Sequence, residues 1–170
     1  MPTLESLGLK NLSVLVVERD RFAANLIQTI LSTFGVREFY YAFNDDEVME
    51  FLKLKQPNLI ITEYKLKNCE TLDLVKSIRN ASFERYQHSN ILMCTGASDI
   101  PTVKAARDAG VTEFLAKPDT GYTLYRRICS MVTHPRPFTD CRAFKGPERR
   151  RKKEIMLPER RHHEDEMRHH

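Results

Sequence analysis

Five short apolar runs constrain this chain more than any other feature of it. They are Val14-Leu15-Val16-Val17, Phe39-Tyr40-Tyr41-Ala42, Leu59-Ile60-Ile61, Ile91-Leu92-Met93-Cys94 and Phe114-Leu115-Ala116. None alternates apolar with polar residues, and β-branched or aromatic side chains are common, the pattern of strands buried on both faces. Between them the period changes to that of a helix. Phe22, Leu26, Ile27, Ile30 and Phe34 recur at three- and four-residue steps, and Gly35 follows as the expected stop. Asn44-Asp45-Asp46-Glu47 forms a capping box ahead of Val48, Phe51 and Leu52, and Leu72, Val75 and Ile78 make a third stripe. Ser98 or Asp99, followed by Pro101, opens a fourth helix that closes at Gly110; Asp119 or Thr120 opens a fifth carrying Leu124, Ile128 and Val132. Strand–helix alternation repeated five times predicts an α/β domain. Its five strands form a doubly wound parallel sheet with right-handed crossovers and helices on both faces.

Charge divides the chain in two. Residues 1–135 carry 16 Lys+Arg and 16 Asp+Glu, whereas residues 136–170 carry 11 and 7, so the net charge of +4 comes from the end of the chain. With 170 residues and a 41% apolar share, one domain plus a tail is expected, and wholesale disorder is excluded. No run approaches the roughly 18 apolar residues of a membrane span. Met1-Pro2-Thr3-Leu4-Glu5 lacks a basic stretch leading into an apolar one, so no secretory signal is expected and the cytoplasm is the expected compartment. Cys69, Cys94, Cys129 and Cys141 show no CxxC spacing, which fits reduced thiols better than disulfides or zinc.

The sequence places the end of the domain at 133. His134-Pro135-Arg136-Pro137 argues against continuation of the fifth helix, and 134–170 reads as a basic, disordered tail. Within it Pro147-Glu148-Arg149-Arg150 returns as Pro158-Glu159-Arg160-Arg161. Three readings are open: a linear docking element, a nucleic-acid contact, and a solvated tail without a ligand. The repetition favours the first, with Arg149, Arg150, Arg151, Arg160 and Arg161 as its cations, since no helix-turn-helix, zinc finger or RNA-recognition motif accompanies them. His162, His163, His169 and His170 flank Glu164-Asp165-Glu166 without fixed metal geometry and count as tail.

In an open parallel sheet, ligands gather beyond the carboxyl ends of the strands. Those positions hold Glu18-Arg19-Asp20 after the first strand, Glu63 after the third, Thr95 after the fourth and Lys117 after the fifth. Over residues 12–133 the sequence resembles the receiver domains of two-component response regulators. The resemblance rests on the first strand run ending at Glu18 and on Pro57-Asn58-Leu59-Ile60-Ile61-Thr62-Glu63. It continues through Leu92-Met93-Cys94-Thr95-Gly96, Ala109-Gly110 and Phe114-Leu115-Ala116-Lys117-Pro118. It implies a flavodoxin-like fold. It also implies a site in which paired acids after the first strand bind magnesium and an aspartate after the third strand takes a phosphoryl group. A hydroxyl and a lysine then bind the phosphate, and an aromatic on the fifth strand reports the change. Thr95, Lys117 and Phe114 fall on the last three positions.

Departures from that pattern set the functional expectation. Glu63 occupies the phosphoacceptor position, with one methylene too many for near-attack geometry. Arg19 stands where the second metal-binding acid belongs, Asp20 is one residue late and suits a helix cap, and Lys65 adds another cation. Two readings of the pocket remain: Arg19 substitutes for magnesium and Glu63 for the phosphorylated state, or the site has decayed and Arg19 faces solvent. Both make phosphoryl chemistry improbable. The expectation is a non-enzymatic, single-domain receiver with no cofactor and no bound metal. It acts as a phosphorylation-independent interaction module in bacterial two-component signalling, with a histidine kinase or another regulator as partner. A nucleic-acid-binding or scaffold role through the tail is the alternative. Tyr122 and Tyr125 on the fifth helix offer a face for a partner or a homodimer.

Overall fold

The computed structural model describes residues 9–66, 69–81, 84–96, 99–117 and 120–149. Five strands, β1 (Ser13–Val17), β2 (Glu38–Ala42), β3 (Leu59–Thr62), β4 (Asn90–Thr95) and β5 (Glu113–Ala116), alternate with helices α1 (Arg21–Thr33), α2 (Asp45–Leu54), α3 (Thr71–Asn80), α4 (Ile100–Ala109) and α5 (Gly121–Thr133). The strands lie in the order β2-β1-β3-β4-β5 and every pair is parallel. The order reverses direction at β1 and β3, which opens a crevice at their carboxyl ends.

Each central strand feeds two cores because successive side chains point to opposite faces. Leu15, Val17, Ile60, Ile91 and Met93 pack with Val48 and Leu52 of α2, Leu74, Val75 and Ile78 of α3, and Ala106 of α4. Val14, Val16, Ile61 and Leu92 pack with Ala24 and Leu31 of α1 and with Leu124, Ile128 and Met131 of α5. Burial on both sides is why these strands lack alternation. Helix limits follow local chemistry. Asp20, Asn44, Asp99 and Thr120 each accept a backbone N–H at the start of a helix, and α4 ends at Gly110 with φ 106°. Of the alternatives left open by sequence, Asp99 and Thr120 are the caps. Among the described residues no helix is long and apolar enough to cross a membrane.

The structure differs from the sequence reading just past α5. Instead of a structureless tail, residues 138–147 form an antiparallel hairpin, β6 (Phe138–Cys141) and β7 (Phe144–Pro147). Gly146 and Pro147 are buried, and Gly146 lies so close to Gly110 that a Cβ on it would meet the Gly110 Cα at 2.9 Å. The hairpin succeeds with few apolar residues because it closes over a core already formed, using two glycines to let backbones touch. Beneath it lies Arg79, only 1% exposed. Its guanidinium donates to the carbonyls of Gly110 (3.0 Å), Ser89 (2.9 Å) and Gln87, and to the Thr112 hydroxyl (3.3 Å). The Phe138 ring centroid lies 5.8 Å from it. Desolvation pulls the Arg79 pKa down to about 10, so the side chain stays charged at neutral pH. The position was legible as core, since residue 79 continues the stripe of Leu72, Val75 and Ile78; that a charge would fill it was not.

Candidate functional site

The crevice at the carboxyl end of the sheet assembles side chains from three strand ends. Glu18 leaves β1 with its N–H still held by the Ala42 carbonyl at 3.3 Å, and Lys117 leaves β5 with its N–H on the Thr95 carbonyl at 2.8 Å. Those bonds carry the sheet ladder one residue beyond the strands and fix where both side chains start. Glu63 follows β3, and one of its carboxylate oxygens accepts the Tyr64 N–H at 2.8 Å.

Lys117 unites the site. Its Nζ lies 2.6 Å from Glu63 Oε2 and 3.7 Å from Glu18 Oε2. Both carboxylates are largely covered, with side chains 19% and 12% exposed, while the lysine is 39% exposed. Desolvation lowers the Lys117 pKa, but the Glu63 hydrogen bond and the charges of Glu63 and Glu18 outweigh it and leave the value raised. Thr95, at the end of β4, is buried beside this cluster. Phe114, one residue into β5, is half-buried and packs on the core shared by α2, α3 and α4.

Position 19 does not join the cluster. Arg19 is exposed, and among the described residues neither carboxylate of the pocket takes it as an ion-pair partner. Of the two readings of the pocket, the one that puts Arg19 in magnesium's place is corrected: Arg19 faces solvent, and the cation that reaches Glu63 is Lys117, from the end of β5. Asp20 does not join either, because its carboxylate accepts the Phe22 N–H at 2.8 Å as the cap of α1. Lys65 is exposed. Glu18 and Glu63 offer hard carboxylate oxygens of the kind magnesium takes, but both are already engaged by the Lys117 ammonium. Two carboxylates share one ammonium, and the residue beside Glu18 is a permanent cation. Among the described residues no group of three or more His, Cys, Asp or Glu side chains is placed to hold a metal.

Two further expectations change in the structure. Tyr125 is not a free contact residue, because its ring stacks on Phe34 with centroids 4.3 Å apart; Tyr122 is 63% exposed. Arg149, expected as a free docking cation, pairs with Asp108 at 3.7 Å and lies over the Phe144 ring at 4.2 Å. Arg150, Arg151, Arg160 and Arg161 lie outside the described residues.

A family model described as the response regulator receiver domain matches residues 14–128. The chain belongs to the response regulator receiver family. Chemotaxis protein CheY-3 of Vibrio cholerae is 24% identical to it over 125 residues, which span 74% of this chain and 95% of that one. Chemotaxis protein CheY1 of Helicobacter pylori is 28% identical over 118 residues, spanning 69% and 94%. Among solved structures, a putative response regulator from Chloroflexus aurantiacus aligns with a TM-score of 0.66 at 24% identity, covering 72% of this chain and 98% of its own. The Vibrio cholerae chemotaxis response regulator CheY4 aligns at 0.63 with 22% identity, covering 69% and 95%. These structures share the receiver fold. The receiver matched here is CheY-like, a signalling module of two-component systems.

Proposed function

We propose that this receiver works as a phosphorylation-independent protein-interaction module, with Glu63 standing in the phosphoacceptor position. The observation that carries the reading is the 2.6 Å contact between Glu63 and Lys117. In the family resemblance, lysine at this place binds the phosphate that signalling adds to an aspartate. Here a longer carboxylate reaches the lysine unaided, so the negative charge on which that contact depends is built into the chain. The Glu18 carboxylate shares the same ammonium, so both acids already face a cation, and Arg19 in the sequence position of a second acid takes away a ligand that a divalent ion would need. The protein then keeps one conformation whatever its phosphodonor supply, or changes state only when a partner binds. No catalytic role is assigned to any residue, and histidine kinases or other regulators are the expected partner class.

Full-length protein incubated with magnesium and a small phosphodonor should take up no phosphoryl group, and a beryllofluoride mimic should leave its amide chemical shifts unchanged. The double variant Arg19→Asp with Glu63→Asp provides the positive arm, since it restores the acid set and should gain magnesium affinity. A stoichiometric, acid-stable and base-labile acyl phosphate on the unmodified chain would end this reading.

A further inference from the structure

Helices α3 and α4 run back from the Glu63 crevice and end at the amino-terminal end of the sheet. Arg79 marks the place, since it bonds Ser89 and Thr112, the residues that precede β4 and β5. Between the two helix ends and the β6–β7 hairpin lies a cleft of about 580 Å³. Its charges do not balance. Lys76 and Arg79 of α3, with Arg142 and Lys145 of the hairpin, line it against two carboxylates, Asp108 of α4 and Asp140 of the hairpin. Four cations thus face two anions. Both anions are engaged: Asp140 takes Lys145 at 3.3 Å, and Asp108 takes Arg107 at 3.1 Å and Arg149 at 3.7 Å, two arginines from outside the cleft. Arg79, the buried floor, is met by carbonyls and the Thr112 hydroxyl, and Arg142 is exposed. Neither arginine has a carboxylate partner among the described residues.

Helix carboxyl ends ordinarily repel anions through their unsatisfied carbonyls. Here the Gly110 carbonyl, at the close of α4, already accepts from Arg79 at 3.0 Å, so that repulsion is answered from below. What remains is excess positive charge in a hollow, which concentrates anions. Shape narrows the class. A nucleic-acid strand needs cations that follow its backbone, whereas these converge on one recess from a helix and a hairpin. The apolar lining is confined to Ala109, Ala143 and Phe144, with Arg149 lying over the Phe144 ring, which leaves an apolar anchor little to cover. We infer that this cleft binds a small phosphorylated molecule, its phosphate dianion held by Arg142, Lys145 and Lys76 above the fixed charge of Arg79. A guanidinium and two ammoniums around one hollow suit the three oxygens of a phosphate, and the excess of two charges matches a dianion. Lys76 can turn to it, because its 2.9 Å pair with Asp73 is solvent-exposed and weakly held. Such a ligand ties the hairpin to α3. The site does not depend on the reading of Glu63: phosphoryl labelling of the crevice would sink that reading and leave this one standing.

The probes are inorganic phosphate and pyrophosphate, titrated at constant ionic strength into the full chain and followed by amide chemical shifts. Saturable shifts are expected at residues 76–80, at Ala109 and at 140–145, with pyrophosphate the tighter of the two. Arg142→Gln combined with Lys145→Gln should weaken binding about tenfold or more. Lys76→Gln should weaken it several-fold; lying on α3 outside the hairpin, it separates loss of the site from loss of the hairpin. Arg37→Gln with Lys53→Gln, the same charge change at the β2 edge of the sheet, should leave the affinity nearly unchanged. Absence of saturable shifts at these residues would overturn the inference, as would equal weakening in the Arg37/Lys53 and Arg142/Lys145 variants. Acetate reproducing the shifts at the same concentration would reduce the cleft to general anion screening. Tighter binding of a short single-stranded oligonucleotide, or of phosphatidic acid vesicles, with the same dependence on Arg142 and Lys145 would assign it to a macromolecule or a membrane and overturn it too.

Discussion

Replacing Lys117 by methionine isolates the ion pairs that hold the crevice together, because methionine keeps the stem and removes only the charge. The lysine faces two carboxylates, at 2.6 and 3.7 Å. Even fully screened by water, such separations leave attractions of roughly 1.6 and 1.1 kcal/mol. Partial burial of the carboxylates raises those figures. The 39% exposure of Lys117 and the desolvation relieved by its removal lower them. A net loss of about 1–2 kcal/mol at pH 7 is expected, read as a lower urea midpoint with unchanged slope. Glu63→Gln should cost about 1 kcal/mol, and the double variant less than the sum, since both changes break one contact. The pH dependence has a fixed sign. Because folding raises the Lys117 pKa above its ordinary 10.5, the stabilisation is complete below that value and disappears as pH rises through the higher folded-state pKa. The difference between parent and variant should therefore be equal at pH 7 and pH 9. A variant as stable as the parent at pH 7, or a gap that closes between those two values, would refute the assignment of Lys117 as the pocket's compensating charge.

Two more expectations follow from the hairpin and what it covers. Arg79→Met leaves the carbonyls of Gly110, Gln87 and Ser89 without a donor; at about 1–3 kcal/mol for each orphaned acceptor, less the desolvation no longer borne by the guanidinium, the net loss is about 2–4 kcal/mol by denaturant titration. A midpoint matching the parent would show that these carbonyls find other partners. Truncation after His134 removes the Arg136 partner of buried Glu113 and uncovers Gly110, so the shortened chain should unfold at a clearly lower urea concentration than the full one, by about 2 kcal/mol or more. Coincident unfolding curves would return the hairpin to the status of an appendage.

The sequence by itself determined the sheet and its helices. Unbroken apolar runs can be satisfied only by burial on both faces, three- and four-residue stripes only by helices, and the caps at Asn44 and Gly110 act through neighbours a few residues away. Strand ends then placed Glu18, Glu63, Thr95 and Lys117 at one edge, because topology alone decides which ends meet. The sequence could not decide which cation enters the crevice. Arg19 adjoins Glu18 in the chain and Lys117 is 54 residues from Glu63, yet the lysine makes the pair, since β5 aims it inward while Arg19 lies exposed. Nor could it show that residues 138–147 fold. Their few apolar side chains stabilise nothing alone, and their order depends on Gly110, Arg79 and Glu113, groups supplied by distant parts of a finished core. Local propensity reads from neighbours in sequence, whereas charge pairing and closure over a core are decided by neighbours in space.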